Sequence, residues 1–342
     1  MNETADATGT PGSKETLRAE GLGHEGRVFK LGTRRSELAL WQAHHVRDRL
    51  IEFWGDELKI ELVEIVTEGD RILDKPLALI GGKGLFVNGI EERLLSGEVD
   101  FAVHSMKDLP SAIPEELVIE CTPERADPRD ALVGAKGVTL AELPPGTRVG
   151  TSSLRRSSLT RRLNPEVEVV SIRGNVPTRV SKIEAGICDV VLLAAAGLER
   201  LGMADVIAEY LDPEAFIPAA TQGILALECR ENDALTRRLI SALHDDDAAT
   251  MAECERAFLA RLEGGCQVPM GCHARLEGGE VVANAMVGDP SGRPVHIVRE
   301  RASRGDAAGL GVRLAEALLE LGAGEIIESL AAAQAHGRDA SH

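Results

Sequence analysis

Aromatic side chains are scarce in this 342-residue chain, which holds six Phe, two Trp and a single Tyr. Its cores must therefore be built from Leu, Val, Ile and Ala rather than from packed rings. No apolar run approaches the roughly 20 residues that a membrane-spanning helix needs, so no membrane partner is expected. The opening stretch MNETADATGTPGSKETLRAEGLGHEG has no apolar segment of the secretory kind, which gives a cytoplasmic expectation. It is polar and rich in Gly, Thr and Glu, and residues 1–26 are expected to form a disordered tail. An excess of positive charge is also missing. With 55 acidic against 38 basic side chains the net charge is −17, which argues against nucleic acid as a partner. Cysteines 121, 188, 229, 254, 266 and 272 are scattered, without the spacing of a disulfide framework.

A chain of this length exceeds one ordinary domain and suits two or three. RVFKLGT (27–33) reads as a strand and SELALWQAHHVRDRLIEF (36–53) as a helix, with apolar residues at Leu38, Trp41, Val46 and Leu50. Further strand and helix patterns alternate up to VDFAVHS (99–105), and a charged, proline-bearing stretch, TPERADPRDALVG (122–134), crosses into a second alternating series. FIPAATQG (216–223) is a second connector, and ILALECR (224–230) is strand-like enough to return to the first sheet. From about residue 245 the texture becomes helix, hairpins, helix. The expected fold is α/β with three domains: 27–123 with 224–243, then 124–223, then a small α+β domain over 244–342. The first two suit the hinged periplasmic-binding-protein plan, with a ligand in the cleft at the carboxyl ends of the strands.

Seven arginines fall between Arg148 and Arg179 against two acids, Glu166 and Glu168, a local reversal of the overall charge. A charge run is ordinarily a solvated helix face, and Arg161 and Arg162 read that way. Arg155 and Arg156 follow GTSSL, in the first turn of a helix that Ser152 or Ser153 can cap. Cations there oppose the helix dipole, and an anion would relieve the cost. SIRGNVPTR repeats the arrangement with Arg173 and Arg179, and GTRRS repeats it with Arg34, Arg35 and Ser36. Three strand-to-helix junctions bearing arginine point to a ligand with several acidic groups.

VDFAVHSMKDLP places His104, Ser105, Lys107 and Asp108 at a strand end. Asp108 is either a turn residue before Leu-Pro or a carboxylate that stabilises a developing cation. EGGCQVPMG (263–271) sets Cys266 on a glycine-rich loop. Three readings stand: a metal ligand with Cys272 and His273, a buried structural thiol, or a nucleophile. No second ligand pair supports the metal, so none is expected.

Together the motifs TRRSELALWQ, TEGDRILDKPLALIGGKGLF, DFAVHSMKDLP, ERADPRDALV, GTSSLRR, RGNVPTR, LAAAGLERLG and EGGCQVPMG, in that order, resemble the porphobilinogen deaminase (hydroxymethylbilane synthase) family. The resemblance implies a monomeric transferase of tetrapyrrole (haem) biosynthesis that condenses four porphobilinogen units, releasing ammonia each time. It implies a dipyrromethane cofactor on a thioether to Cys266, with Ser153, Arg155, Arg156 and Lys107 binding it. Asp108, assisted by Lys107, is the implied catalytic residue. Arg34, Ser36, Arg173, Arg179, Arg200 and Gln222 are implied to bind substrate carboxylates, with Lys83 on a loop over the cleft. Hydrolysis would free hydroxymethylbilane for the next enzyme of the pathway. The chain departs from the family pattern at Pro177 and Thr221, where glycine is usual. A non-catalytic polycarboxylate-binding protein is the alternative from the α/β pattern alone.

Overall fold

The computed structural model describes residues 14–24, 26–67, 87–262 and 268–339. Part of the expected disordered tail is ordered. Helix α1 (Lys14–Glu20) buries Leu17, and Leu22 just after it joins the first core. Arg18 lies 4.5 Å from the Phe53 ring centroid and Arg238 binds Glu20 at 2.8 Å. Two leucines spaced five apart were too sparse a pattern to read as helix, yet they suffice to dock it.

Strand β1 (Val28–Arg34) is followed by α2 (Glu37–Trp54), β2 (Lys59–Ile65), α3 (Asn88–Leu95), β3 (Phe101–Ser105) and β4 (Leu117–Cys121). Ser36 caps α2 by accepting from the Ala39 N–H at 3.3 Å, and the helix lays Ala43, Val46 and Leu50 on the sheet. A second series follows: β5 (Asp130–Val133), β6 (Arg148–Gly150), α4 (Leu154–Leu163), β7 (Glu168–Val170), α5 (Val176–Glu184), β8 (Val190–Ala194), α6 (Ala195–Arg200) and β9 (Ile207–Tyr210). The chain then returns as β10 (Leu225–Arg230) and α7 (Ala234–Ser241).

The sheet orders are β2-β1-β3-β10-β4 and β7-β6-β8-β5-β9. In each, three parallel strands are followed by one antiparallel strand delivered by a crossing segment, β10 in the first and β5 in the second. The two α/β units are thus built to one plan and joined twice. Their parallel strands end in the β1, β3, β6, β7 and β8 tips that carry the arginine and aspartate motifs, the end of such a sheet where ligands bind.

The third unit packs α8 (Asp246–Arg261), α9 (Ala307–Glu320) and α10 (Ala323–Asp339) on an antiparallel sheet of β11 (Met270–Glu277), β12 (Glu280–Gly288) and β13 (Val295–Ser303). A Cβ at Gly311 would lie 2.0 Å from the Cys254 carbonyl, so α8 and α9 approach at a distance only glycine permits. No helix among the described residues is long and apolar enough to cross a membrane.

Candidate active site

Asp130 is the residue around which the second unit's cations are arranged, and the sequence reading did not single it out. It opens β5, whose remaining residues are Ala-Leu-Val, and it is completely buried. Its carboxylate binds Arg155 Nη1 at 2.5 Å, Arg156 Nη2 at 2.8 Å and Arg156 Nε at 2.9 Å. Burial alone would raise the Asp130 pKa. The two guanidinium charges override it and hold the carboxyl well below the usual range. The anion expected to relieve the first-turn arginines is therefore supplied by the protein itself. A lone carboxylate heading an otherwise apolar strand was the available signal, since a buried charge requires a partner.

The same carboxylate accepts from Gln222 Nε2 at 3.2 Å, and Gln222 Oε1 accepts from Lys107 Nζ at 3.2 Å. Four predicted residues, Lys107, Gln222, Arg155 and Arg156, thus form one network through Asp130. Arg155 also donates to the Ile217 carbonyl at 2.8 Å and Arg156 to the Leu192 carbonyl at 3.0 Å. Ser153 caps α4 by accepting from the Arg156 N–H. Arg161, expected as a solvated face, instead donates to the Pro290 carbonyl of the third unit at 2.7 Å.

A recess between the two α/β units is lined by Leu38, Lys107, Arg156, Arg179 and Arg200 among others. A neighbouring one, sharing Leu38 and Ser105 with it, is lined by Arg34, Ser36, Gln42 and Asp108. Gln42, also unforeseen, donates to Ser105 Oγ at 2.9 Å and ties α2 to the tip of β3. Asp108 is exposed toward the cleft, in the 3-10 turn Met106–Asp108, with Lys107 and Arg179 as electrostatic neighbours. Burial lowers Lys107 to about 8 against the opposing pull of Asp108. Burial likewise lowers Arg179 and Arg200 to about 10, so both stay cationic at neutral pH. No ion pair among the described residues neutralises either of them; Arg179 donates to the Gly174 carbonyl and Arg200 to the Gly223 carbonyl. Arg173 stands close enough to Arg179 to depress it further.

Pro177 sits in the first turn of α5, which Asn175 caps, so its missing N–H costs the helix nothing. Thr221 takes φ 59, the left-handed region that a glycine would fill freely.

Cys266 and Lys83 lie outside the described residues. Cys272 and His273 are consecutive in β11, so their side chains leave opposite faces of the strand, and Cys272 is in the third core. Gly271 has a definite reason to be glycine: a Cβ there would meet the Pro218 carbonyl at 2.6 Å and Arg155 Cδ at 3.1 Å. The strand that follows the cysteine loop is thereby pressed against Arg155.

Residues 29–238 match the family model described as porphobilinogen deaminase, dipyromethane cofactor binding domain, and residues 249–320 match the porphobilinogen deaminase C-terminal domain. The porphobilinogen deaminase of Syntrophotalea carbinolica is 48% identical over 89% of this chain and 96% of its own length. That of Roseiflexus castenholzii is 50% identical over 85% of this chain and 96% of its own. Among solved structures, the periplasmic VFT2 domain of BvgS from Bordetella pertussis aligns with 71% of this chain and 97% of its own at 15% identity, with a TM-score of 0.38.

Proposed function

The chain belongs to the porphobilinogen deaminase family, and from that premise we propose how its own residues carry the reaction. It is a transferase of tetrapyrrole biosynthesis with a dipyrromethane cofactor; it joins four porphobilinogen units head to tail with loss of ammonia and releases hydroxymethylbilane by hydrolysis. The family match sets aside the non-catalytic binding protein.

Each pyrrole of the cofactor and substrate carries two carboxylates. The cleft answers with Arg179 and Arg200, cations that burial has partly dehydrated, beside Lys107 and the Arg156 edge. This donor set fits a polyanion, because charge-assisted bonds in a desolvated cleft are the strong ones. When bound, dipyrromethane supplies the tether and the nucleophilic pyrrole carbon. Cys266 is its thioether anchor, with Ser153, Arg156 and Lys107 around it. Arg155, whose donors are engaged by Asp130 and Ile217, supports the cofactor site from behind. Arg34, Ser36, Arg173, Arg179 and Arg200 receive the incoming substrate, and Lys83 is assigned to the same site; Gln222, expected there too, is buried against Asp130 and steadies Lys107 from behind.

Asp108 carries the chemistry. As the C–N bond of porphobilinogen breaks and its electron pair leaves on ammonia, positive charge spreads over the pyrrole. The Asp108 carboxylate stabilises that charge, an effect worth roughly 10²–10³ in rate for comparable groups. The aminomethyl group leaves from its ammonium form, so ammonia departs neutral; Asp108 then accepts the proton that the coupling releases and passes it to water, which balances the step. The supporting observation is its position, exposed at the β3 tip beside Lys107 and Arg179.

The domains are proposed as 27–123 with 224–243, 124–223 and 244–342. The enzyme is proposed to act as a cytoplasmic monomer that passes its product to the next pathway enzyme. Intact mass of the purified enzyme, with peptide mapping, tests the anchor: the expected mass exceeds the sequence by two linked pyrroles, placed on Cys266. Pyrroles on another cysteine would refute it. Asp108→Asn should keep the cofactor and the melting temperature while turnover falls at least about 100-fold; near-normal turnover would end the role assigned to Asp108.

A further inference from the structure

Trp41 is one of only two tryptophans, and neither the chemistry above nor the arginine network uses it. It lies on α2 of the first unit, one turn beyond Leu38, which lines both recesses. Its indole stacks on His45 with centroids 4.8 Å apart and planes 10° from parallel. Across the cleft, α6 of the second unit brings Gly197 against Leu38, where a Cβ would stand 3.6 Å from Leu38 Cδ2. At the end of α6 the Arg200 guanidinium carbon lies 5.9 Å from the Trp41 ring centroid, while Nη2 donates to the Gly223 carbonyl at 2.9 Å. Arg200 is thus fixed at one edge by the returning connector and faced by an aromatic ring from the opposite unit.

We propose that Trp41, backed by His45, is a positioning residue that orients Arg200 for a substrate carboxylate, so that the first unit takes part in carboxylate recognition through an arginine of the second. A cation inside 6 Å of an indole face is attracted by the ring quadrupole. The contact leaves the guanidinium charge uncancelled, whereas a carboxylate partner would neutralise it and compete with the ligand. The backing ring suits this use: burial, Arg49 and Arg200 lower the His45 pKa against a smaller opposing pull from Asp48, which disfavours a second cation under the indole. The contact also exists only while the two α/β units stand together, so the orientation of Arg200 depends on their closure.

The inference rests on the reading of Arg200 as a carboxylate-binding residue. The test compares Trp41→Leu, Trp41→Phe, Arg200→Gln and the double variant Trp41→Leu/Arg200→Gln, each as holoenzyme with cofactor loading verified by intact mass. Trp41→Leu should raise the KM for porphobilinogen roughly 2- to 30-fold, the span of a partly desolvated cation–π contact, with kcat nearly unchanged. Trp41→Phe, which keeps an aromatic face, should raise KM less. Arg200→Gln should raise KM, and Trp41→Leu should add nothing further in its background. An unchanged KM in Arg200→Gln overturns the carboxylate role of Arg200 and this inference with it. A KM increase in Arg200→Gln overturns the inference alone if Trp41→Leu leaves KM unchanged, or if the two effects multiply in the double variant, as separate packing damage would.

Discussion

Lys107 shows what burial does to a single charge in this cleft. Its pKa falls to about 8 because the partly buried ammonium is poorly hydrated; Asp108 raises it and Arg156 lowers it further. An unfolded lysine titrates near 10.4. The folded protein therefore gives up this proton first, and its stability contribution rises with pH between about 8 and about 10.4. Activity should move the other way, since deprotonation removes a cation from a site that binds carboxylates. The kcat/KM for porphobilinogen is expected to fall with an alkaline midpoint near 8, and Lys107→Gln should abolish that limb while lowering kcat/KM at neutral pH by roughly tenfold. A variant that keeps the same alkaline limb would show that another group titrates. His273, a candidate metal ligand from the sequence, is depressed to about 3 by burial and by Arg125, which marks it as a neutral, buried ring.

The returning connector, between β9 and β10, concentrates backbone strain. Among the described residues Thr221 is the one non-glycine with positive φ. Its hydroxyl donates to the Ala220 carbonyl at 2.7 Å and its N–H donates to Glu255. A β-branched residue in this region costs on the order of 1–3 kcal/mol. Thr221→Gly is expected to raise stability by about 1 kcal/mol, after the added entropy of glycine in the unfolded chain, with kcat/KM unchanged. Urea denaturation reads the change, and a lower midpoint at equal m-value would mean that the hydroxyl bond outweighs the strain. Two residues on, Gly223 has φ 90 and its Cβ would strike the Ala126 carbonyl at 2.5 Å, so the two crossing segments touch where no side chain fits. Gln222, between these constrained residues, is held in place for its bonds to Asp130 and Lys107.

At the scale of the molecule, one buried ion pair ties both crossing segments to the third unit. Arg125, on the first crossing, binds Glu255 of α8 at 2.6 Å and donates to the Gln222 carbonyl at 3.0 Å and the Ala274 carbonyl at 3.2 Å. Glu255, with no exposed surface, also accepts the Ala274 N–H at 2.7 Å. Removing one partner of such a pair leaves the other charge buried and unmatched. Glu255→Ala should therefore cost about 3–5 kcal/mol in equilibrium unfolding; a loss below about 1 kcal/mol would mean that water or another acid replaces it. Much of the architecture was legible beforehand. Strand–helix alternation marked both α/β units, and the junction arginines and Asp108 stood out because strand tips are where such sheets bind ligands. The docked helix α1 was not legible, since two leucines give no periodicity. Asp130 and Glu255 were not either, because their arginine partners lie 25 or more residues away and only the pairing shows what each carboxylate is for. Local sequence, through period, caps and turn residues, by itself determined the elements and the charge at their ends. The tertiary structure alone decided which arginines share an internal carboxylate, Arg155 and Arg156, and which, Arg179 and Arg200, face the cleft as half-buried cations without one, because charge pairing in a folded chain follows distance in space and not distance along the sequence.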